Sequence, residues 1–331
     1  MRDRDLAIDY AKGIAILFVY LGHSVIYHPI ELAATYEWCH ILDRMITSFN
    51  MPMFFFISGL LFGYSKKDNL TVLKDKGKRL LIPYLFTMML IIIAKQITPN
   101  EIAYKNVSGG GIIDLITYIF GGGDRWFVYV LIWIFLFSLP LRRVAKTDWV
   151  FVVIAIALGI TIADVIPSWF MMDRVVWFIS YFLLGMFLSQ YYEIVRPFVT
   201  KFCWALLTLF ILLNIVFVIT LQENGFIWYV VLPLIGTALF MSMSFLIDNC
   251  WKKKGSQPAV VRYIEYCGKY SLQFYLFTFA YPVIRIVVVN VFHISSPFAI
   301  VALVMILQLI VITIIVEITR RIKWLKIPMG Y

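Results

Sequence analysis

Three residues of the first apolar stretch, IDYAKGIAILFVYLGHS, carry groups able to move protons or bind anions: Asp9, Lys12 and His23. Lys12 and His23 lie eleven positions apart. At 3.6 residues per turn this is close to three full turns, so in a helix they share one face about 16 Å apart. Asp9, three positions before Lys12, falls on that face and can orient the ammonium. Such a stripe sets a cation near one membrane boundary and an imidazole deep toward the other. Taken singly, Lys12 reads as a snorkelling lysine and His23 as a histidine hydrogen-bonded between helices. A charged group inside a span costs about 2.5–3.5 kcal/mol on insertion scales. Their shared face therefore points to a polar path through a bundle.

The rest of the chain shows what must hold that path. Of 331 residues, 62% are hydrophobic and only 15% charged, against about 25% charged in a soluble domain. That excludes a soluble enzyme, and the apolar content excludes a disordered chain. The net charge of +10 could suggest nucleic acid, but this hydropathy assigns the chain to lipid. Spanning the hydrocarbon takes roughly 20 apolar helical residues. Runs of this kind fall at 8–28, 45–65, 80–97, 126–142, 149–167, 175–192, 202–221, 226–247, 270–291 and 297–319. The expected fold is an all-α integral membrane protein of about ten transmembrane helices with both termini cytoplasmic. Residues 1–331 are expected to form one transmembrane domain with no separate soluble domain.

Basic residues set the orientation. Only Arg44, Lys95, Lys105, Arg125, Arg174 and Arg285 fall outside in this arrangement, leaving 23 of the 29 Lys and Arg residues inside. The first span has no small-residue cleavage site after it and is expected to stay as an anchor. Cys39, Cys203, Cys250 and Cys267 lack metal-site or disulfide spacing. No internal repeat is visible, which counts against an inverted-repeat transporter. Gly109–Gly111 and Gly121–Gly123 flank IIDLITYIF, the pattern of hinges around a short re-entrant or interfacial helix.

DYAKGIAILFVYLGHS resembles the opening of the membrane-bound acyltransferase family 3, whose first helix carries a basic residue, ten others, then His. Lys12 within AKGI and His23 within LGHS are similar to the fucose 4-O-acetylase-like branch. FNMPMFFFISGLLFGY (49–64), KRLLIPY (78–84), RWFVY (125–129) and GKYSLQFYLF (268–277) resemble later family segments in order. The resemblance runs from about residue 8 to 280. Thr278 stands where many members place a second His, which leaves His23 as the candidate base.

What the resemblance implies is a multi-pass O-acyltransferase of a bacterial plasma (inner) membrane. It would move acetyl, or another short acyl group, from cytoplasmic acyl-CoA to a hydroxyl of a cell-surface or lipid-linked glycan. Acetyl-CoA is the implied co-substrate and no metal is needed. The bilayer and the glycan are the expected partners, nucleic acid is not one, and a homo-oligomer is compatible with the chain. The residues support such chemistry in their own right. A thioester is already activated, so the protein has to deprotonate a hydroxyl and stabilise an oxyanion. His23 suits the first task because imidazole titrates near working pH. Glu37 and Asp43, in the first outer segment, are candidates for the carboxylate that orients it, or ordinary acids of a solvated loop. Lys12, Lys78 and Arg79 are candidates for the CoA phosphates, Arg79 through forked contacts. Lys66, Lys67, Lys74 and Lys76 are read as orientation signals. Pro52 should kink its helix beside the site. Asn50, Ser58, Arg125, Trp126, Ser271 and Tyr275 are candidate acceptor contacts. The rival reading is a polytopic transporter or flippase without acyl transfer.

Overall fold

The computed structural model describes residues 5–26, 32–97, 112–163, 165–220, 227–251, 257–278 and 281–331. Among them there is no strand. Lipid offers backbone groups no partners, so an apolar chain of this length folds as helices. In chain order these are α1 (Leu6–Ile26), α2 (Leu32–Thr35), α3 (Glu37–Tyr64), α4 (Asn69–Lys76), α5 (Ile82–Ile97), α6 (Ile112–Phe120), α7 (Trp126–Thr147) and α8 (Trp149–Ile162). The second half holds α9 (Met172–Leu188), α10 (Tyr192–Lys201), α11 (Cys203–Thr220), α12 (Leu232–Trp251), α13 (Ala259–Lys269), α14 (Ser271–Leu276), α15 (Tyr281–Ile286) and α16 (Pro297–Thr319). The protein is an all-α membrane protein.

Among the described residues seven helical stretches are long and apolar enough to cross a bilayer, or eight if α10 and α11, bent by 70°, make one span. The count of ten expected from hydropathy does not emerge. Among the described residues each of the ten runs holds helix, but three are not single full-length spans. The run 149–167 yields α8, whose 14 residues reach only about 21 Å. The run 202–221 begins past the bend that joins α10 to α11. The run 270–291 is broken between α14 and α15, with 279–280 outside the described residues. Pro282, the second residue of α15, has no N–H to offer the carbonyl of residue 278, which favours a helix start there. Pro52 is accommodated differently, inside a continuous α3. The Asn50 side-chain oxygen accepts from the Met51 amide at 2.7 Å there. Of the glycine pair around the short helix, Gly109–Gly111 lie outside the described residues. Gly122 and Gly123 form a left-handed turn (φ 80° and 39°) between α6 and α7.

α1 packs against α3, α12, α13 and α16, and α3 against α9. Helices in lipid gain no hydrophobic drive toward each other, so close contact has to come from small residues. Two crossings show it. A Cβ on Gly13 would lie 2.0 Å from the carbonyl oxygen of Ile264, and one on Gly268 would lie 1.7 Å from that of Asp9. The α1–α13 crossing is thus backbone on backbone. The α3–α9 crossing is built alike: a Cβ on Gly59 would lie 1.9 Å from the Phe182 carbonyl oxygen and one on Gly185 2.1 Å from that of Phe56. Outward faces of α8, α11 and α16 expose Ile154, Leu212, Ile310 and similar side chains, the pattern of a lipid-facing surface.

Cations gather where α1 starts and α3, α7 and α12 end. Arg196 pairs with Asp248 at 2.5 Å. Arg142 donates to the Lys67 carbonyl at 2.7 Å and to that of Ser65, and Lys146 donates to the Gly63 carbonyl at 2.9 Å. These satisfy carbonyls that the end of α3 leaves without intrahelical partners.

Gly13→Ala and Gly268→Ala should each cost about 1–3 kcal/mol through overpacking, read as a lowered unfolding temperature in detergent. Gly77 has right-handed helical dihedrals and open space at its Cβ position, so Gly77→Ala should be neutral or stabilise by up to about 1 kcal/mol. Equal unfolding temperatures for Gly268→Ala and wild type would show that this crossing does not hold α13.

Candidate active site

Beside the α1–α13 crossing lies a cavity of about 130 Å³. Lys12 neighbours Gly13 and Lys269 neighbours Gly268, so the contact that joins the two backbones also brings the two ammonium groups onto one wall. Lys76 and Arg79 complete the basic lining from the end of α4 and the π-helical turn Gly77–Leu81. Lys12 is oriented by Asp9, 2.6 Å away and itself only 5% exposed. Lys76 Nζ sits 4.1 Å from the centroid of the Phe135 ring, a cation–π contact. Ser58, Ser271 and Tyr275 add hydroxyls, and Phe54, Phe127 and Leu131 make the apolar part of the lining. None of the described lining residues is acidic. Four cations focused on a small space select a polyanion.

Tyr275 links this cavity to a second cluster. Its hydroxyl accepts from the Phe127 amide at 3.2 Å, one of the donors that the start of α7 cannot satisfy internally. The Arg125 guanidinium lies 5.8 Å from the Tyr275 ring centroid. Arg125 is only 2% exposed. It donates to the Asp124 carbonyl at 2.9 Å and to Thr278 Oγ1 at 3.2 Å, while Thr278 donates to the Tyr275 carbonyl at 2.9 Å. A second arginine, Arg285, is fully buried and donates to the carbonyls of Ser24 and His23 near the end of α1. Arg125, Arg285 and Asp124 are the charged groups that act on the His23 imidazole. The deep histidine of α1 thus lies in the field of two cations and one carboxylate.

A sequence model described as an acyltransferase domain matches residues 5–317. The chain belongs to this acyltransferase family. It is 32% identical over 143 residues to the nodulation protein NolL of Sinorhizobium fredii, covering 41% of this chain and 36% of the relative. To the nodulation protein NolL of Mesorhizobium japonicum it is 31% identical over 147 residues, 44% of this chain and 37% of the relative. The match spans just over a third of the length of these relatives. No solved structure matches.

In this acyltransferase the residues singled out from sequence divide into three groups. Lys12, Arg79, Ser58, Ser271 and Tyr275 share the basic cavity, with Asp9 behind Lys12. Arg125 belongs to the His23 cluster, and Trp126 lies beside it with the Arg174 guanidinium 4.7 Å from its ring centroid. The others lie elsewhere. Lys78 is exposed and off the cavity wall. Asn50 is buried and its side-chain oxygen is taken up by the Met51 amide of its own helix. Glu37 is exposed in the first turn of α3, and the charged neighbours of Asp43 are Arg44 and His40. Asp124, beside the Gly122–Gly123 turn, is a further carboxylate whose charge reaches the His23 imidazole.

Sequence reasoning passed over Lys76, Lys269, Asp124 and Arg285. A signal existed for Arg285: it interrupts the apolar run YPVIRIVVV, where a charge is costly unless it has work. Lys76 and Lys269 carried no such mark, because basic residues at that end also orient the chain. Among the described residues no group of three His, Cys, Asp or Glu is placed to hold a metal ion.

Thr278 holds a buried guanidinium, that of Arg125. Thr278→Val should therefore destabilise the fold by about 1.5–3 kcal/mol, the usual loss for a hydrogen bond to a charged group. Thr278→Ser should restore it. Thermal unfolding in nanodiscs reads both, and an unperturbed Val variant would remove Thr278 from the support of Arg125.

Proposed function

We propose that this acyltransferase transfers an acetyl or other short acyl group from a CoA thioester to a hydroxyl of a glycan or lipid-linked sugar, in a bacterial inner membrane. The observation that carries the reading is the adjoining of a four-cation cavity to a deep histidine flanked by two buried arginines. The cavity suits the phosphates of the donor: Arg79 supplies a fork of N–H groups, and Lys12, Lys76 and Lys269 supply point charges. The separation of Lys12 and His23 along α1, about 16 Å, suits a donor whose phosphates and reactive carbonyl are far apart. Charge asymmetry supports a cytoplasmic position for the cavity.

His23 accepts the proton of the acceptor hydroxyl as its oxygen bonds to the thioester carbonyl carbon. Arg125 and Arg285 supply positive charge beside the oxyanion that forms, in a site shielded from water. The negative charge of Asp124 favours the imidazolium that forms. When the C–S bond breaks, the imidazolium returns the proton to the leaving thiolate, so the products are ester and free thiol. Every proton is accounted for without a further reactant.

Wild-type protein in nanodiscs, given radiolabelled acetyl-CoA and a cell-envelope glycan extract, should label the glycan. His23→Ala should lower that rate by about 10²–10⁴-fold, the usual worth of a general base, with insertion unchanged; persisting transfer would remove His23 from the role. Lys12→Ala, Arg79→Ala and Lys269→Ala should each raise the KM for acetyl-CoA roughly tenfold, as for a lost charged hydrogen bond, more than the KM for the acceptor. Unaltered donor dependence in all three would refute the donor-site assignment.

A further inference from the structure

A second cavity, of about 440 Å³, opens where α9 begins, with Ile166, Ser168, Asp173, Arg174, Trp177 and Tyr229 on its wall. Its volume is within the range of small-molecule sites, about 300–1,000 Å³. The cavity adjoins the His23 cluster through Arg174, whose guanidinium covers the ring of Trp126, the residue next to Arg125.

Three features define what it would hold. Asp173 Oδ1 is buried and has no hydrogen-bond partner among the described residues. An acid is favoured in the first turn of a helix by the macrodipole, which accounts for its presence at the start of α9. It does not account for a buried carboxylate oxygen left without donors, which is costly. The second feature is the aromatic surface: Trp177 and Tyr229 meet edge to face, with centroids 5.4 Å apart. The third is the turn before α9, where Phe170 and Met171 both have left-handed backbone (φ 53° and 56°). Such conformations cost non-glycine residues about 1–3 kcal/mol each and persist where surrounding structure imposes them.

Hydroxyl-rich rings match these features. A carboxylate oxygen accepts from hydroxyls, a guanidinium donates to them, and aromatic rings pack against the apolar C–H face of a pyranose. Phosphate does not match, because Asp173 offsets Arg174, whereas the other cavity combines four cations with no acid on its wall. We propose that this cavity is the acceptor subsite, binding an uncharged pyranose ring of the glycan through Asp173, Arg174 and the Trp177–Tyr229 wall. The fate of the bound sugar rests on the acyl-transfer reading of the neighbouring histidine; the binding itself does not.

The test uses the full chain in nanodiscs and methyl glycosides of glucose, galactose, fucose and N-acetylglucosamine as probes, followed by saturation-transfer NMR. At least one should bind, and Asp173→Asn should weaken it roughly tenfold or more, as for loss of a charged acceptor. Ser168→Trp, an exposed loop position filling the cavity mouth, should block it even if the Asn variant folds poorly. Acetyl-CoA affinity should stay at the wild-type level in both. Absence of binding by all four glycosides, or equal binding to wild type and both variants, overturns the proposal. Binding to wild type with no acyl group transferred to any glycan overturns the acyl-transfer reading and leaves the subsite standing.

Discussion

The structure depends on one contact that has no side chains in it. Gly13 and Gly268 let the backbones of α1 and α13 touch, and no larger residue fits at either position without moving a carbonyl. In lipid, where apolar side chains gain nothing by leaving their surroundings, such contacts are what fix one helix against another. Because Lys12 and Lys269 are the chain neighbours of these glycines, the contact also fixes their charges relative to each other. Binding geometry and fold stability are here the same interaction. The Gly59–Gly185 crossing repeats the device for α3 and α9, one helix carrying Ser58 of the basic cavity and the other carrying Asp173.

A second constraint follows from the absence of water. Buried arginines have to find acceptors, and in this bundle they find backbone carbonyls at places where helices end or break. Arg285 uses the carbonyls near the end of α1, and Arg125 uses the Asp124 carbonyl beside the glycine turn. The interruption between α14 and α15 is therefore not a flaw in a span. It belongs to the same region as Thr278, which holds Arg125, and Phe274, whose carbonyl accepts from the Tyr20 hydroxyl at 2.8 Å. Irregular backbone at membrane depth is tolerated where protein surrounds it, and here it supplies the polar groups that a continuous helix would have consumed.

Much of this was legible in the sequence, and the limits have physical causes. The Asp9–Lys12–His23 stripe is a local property of one helix, so spacing alone revealed it. The basic cavity was half legible: Lys12 and Arg79 were marked, whereas Lys269 is set beside Lys12 only by the tertiary crossing and Lys76 comes from the end of α4. Glu37 and Asp43 were chosen because they are close along the chain to His23. Asp124, whose charge reaches the imidazole, belongs to a turn about a hundred residues away in sequence, and no periodicity encodes that. Hydropathy counted ten runs because it weighs composition, and it does not register that a run is short like α8, bent like α10–α11, or cut by a proline.

The shortness of α8 has a consequence for the membrane itself. A hydrocarbon layer is about 30 Å thick, some 9 Å more than 14 helical residues can match. Mismatch of this kind is relieved by local thinning of the lipid, at a fraction of a kcal/mol per Å. The loop that walls the second cavity begins where α8 stops, so thinning around α8 would draw the bilayer surface down toward it. A sugar tethered to a lipid would then meet the protein in a dimple, its anchor still dissolved in the leaflet. Acyl-chain length of the host membrane becomes a variable that sets how readily such a substrate arrives.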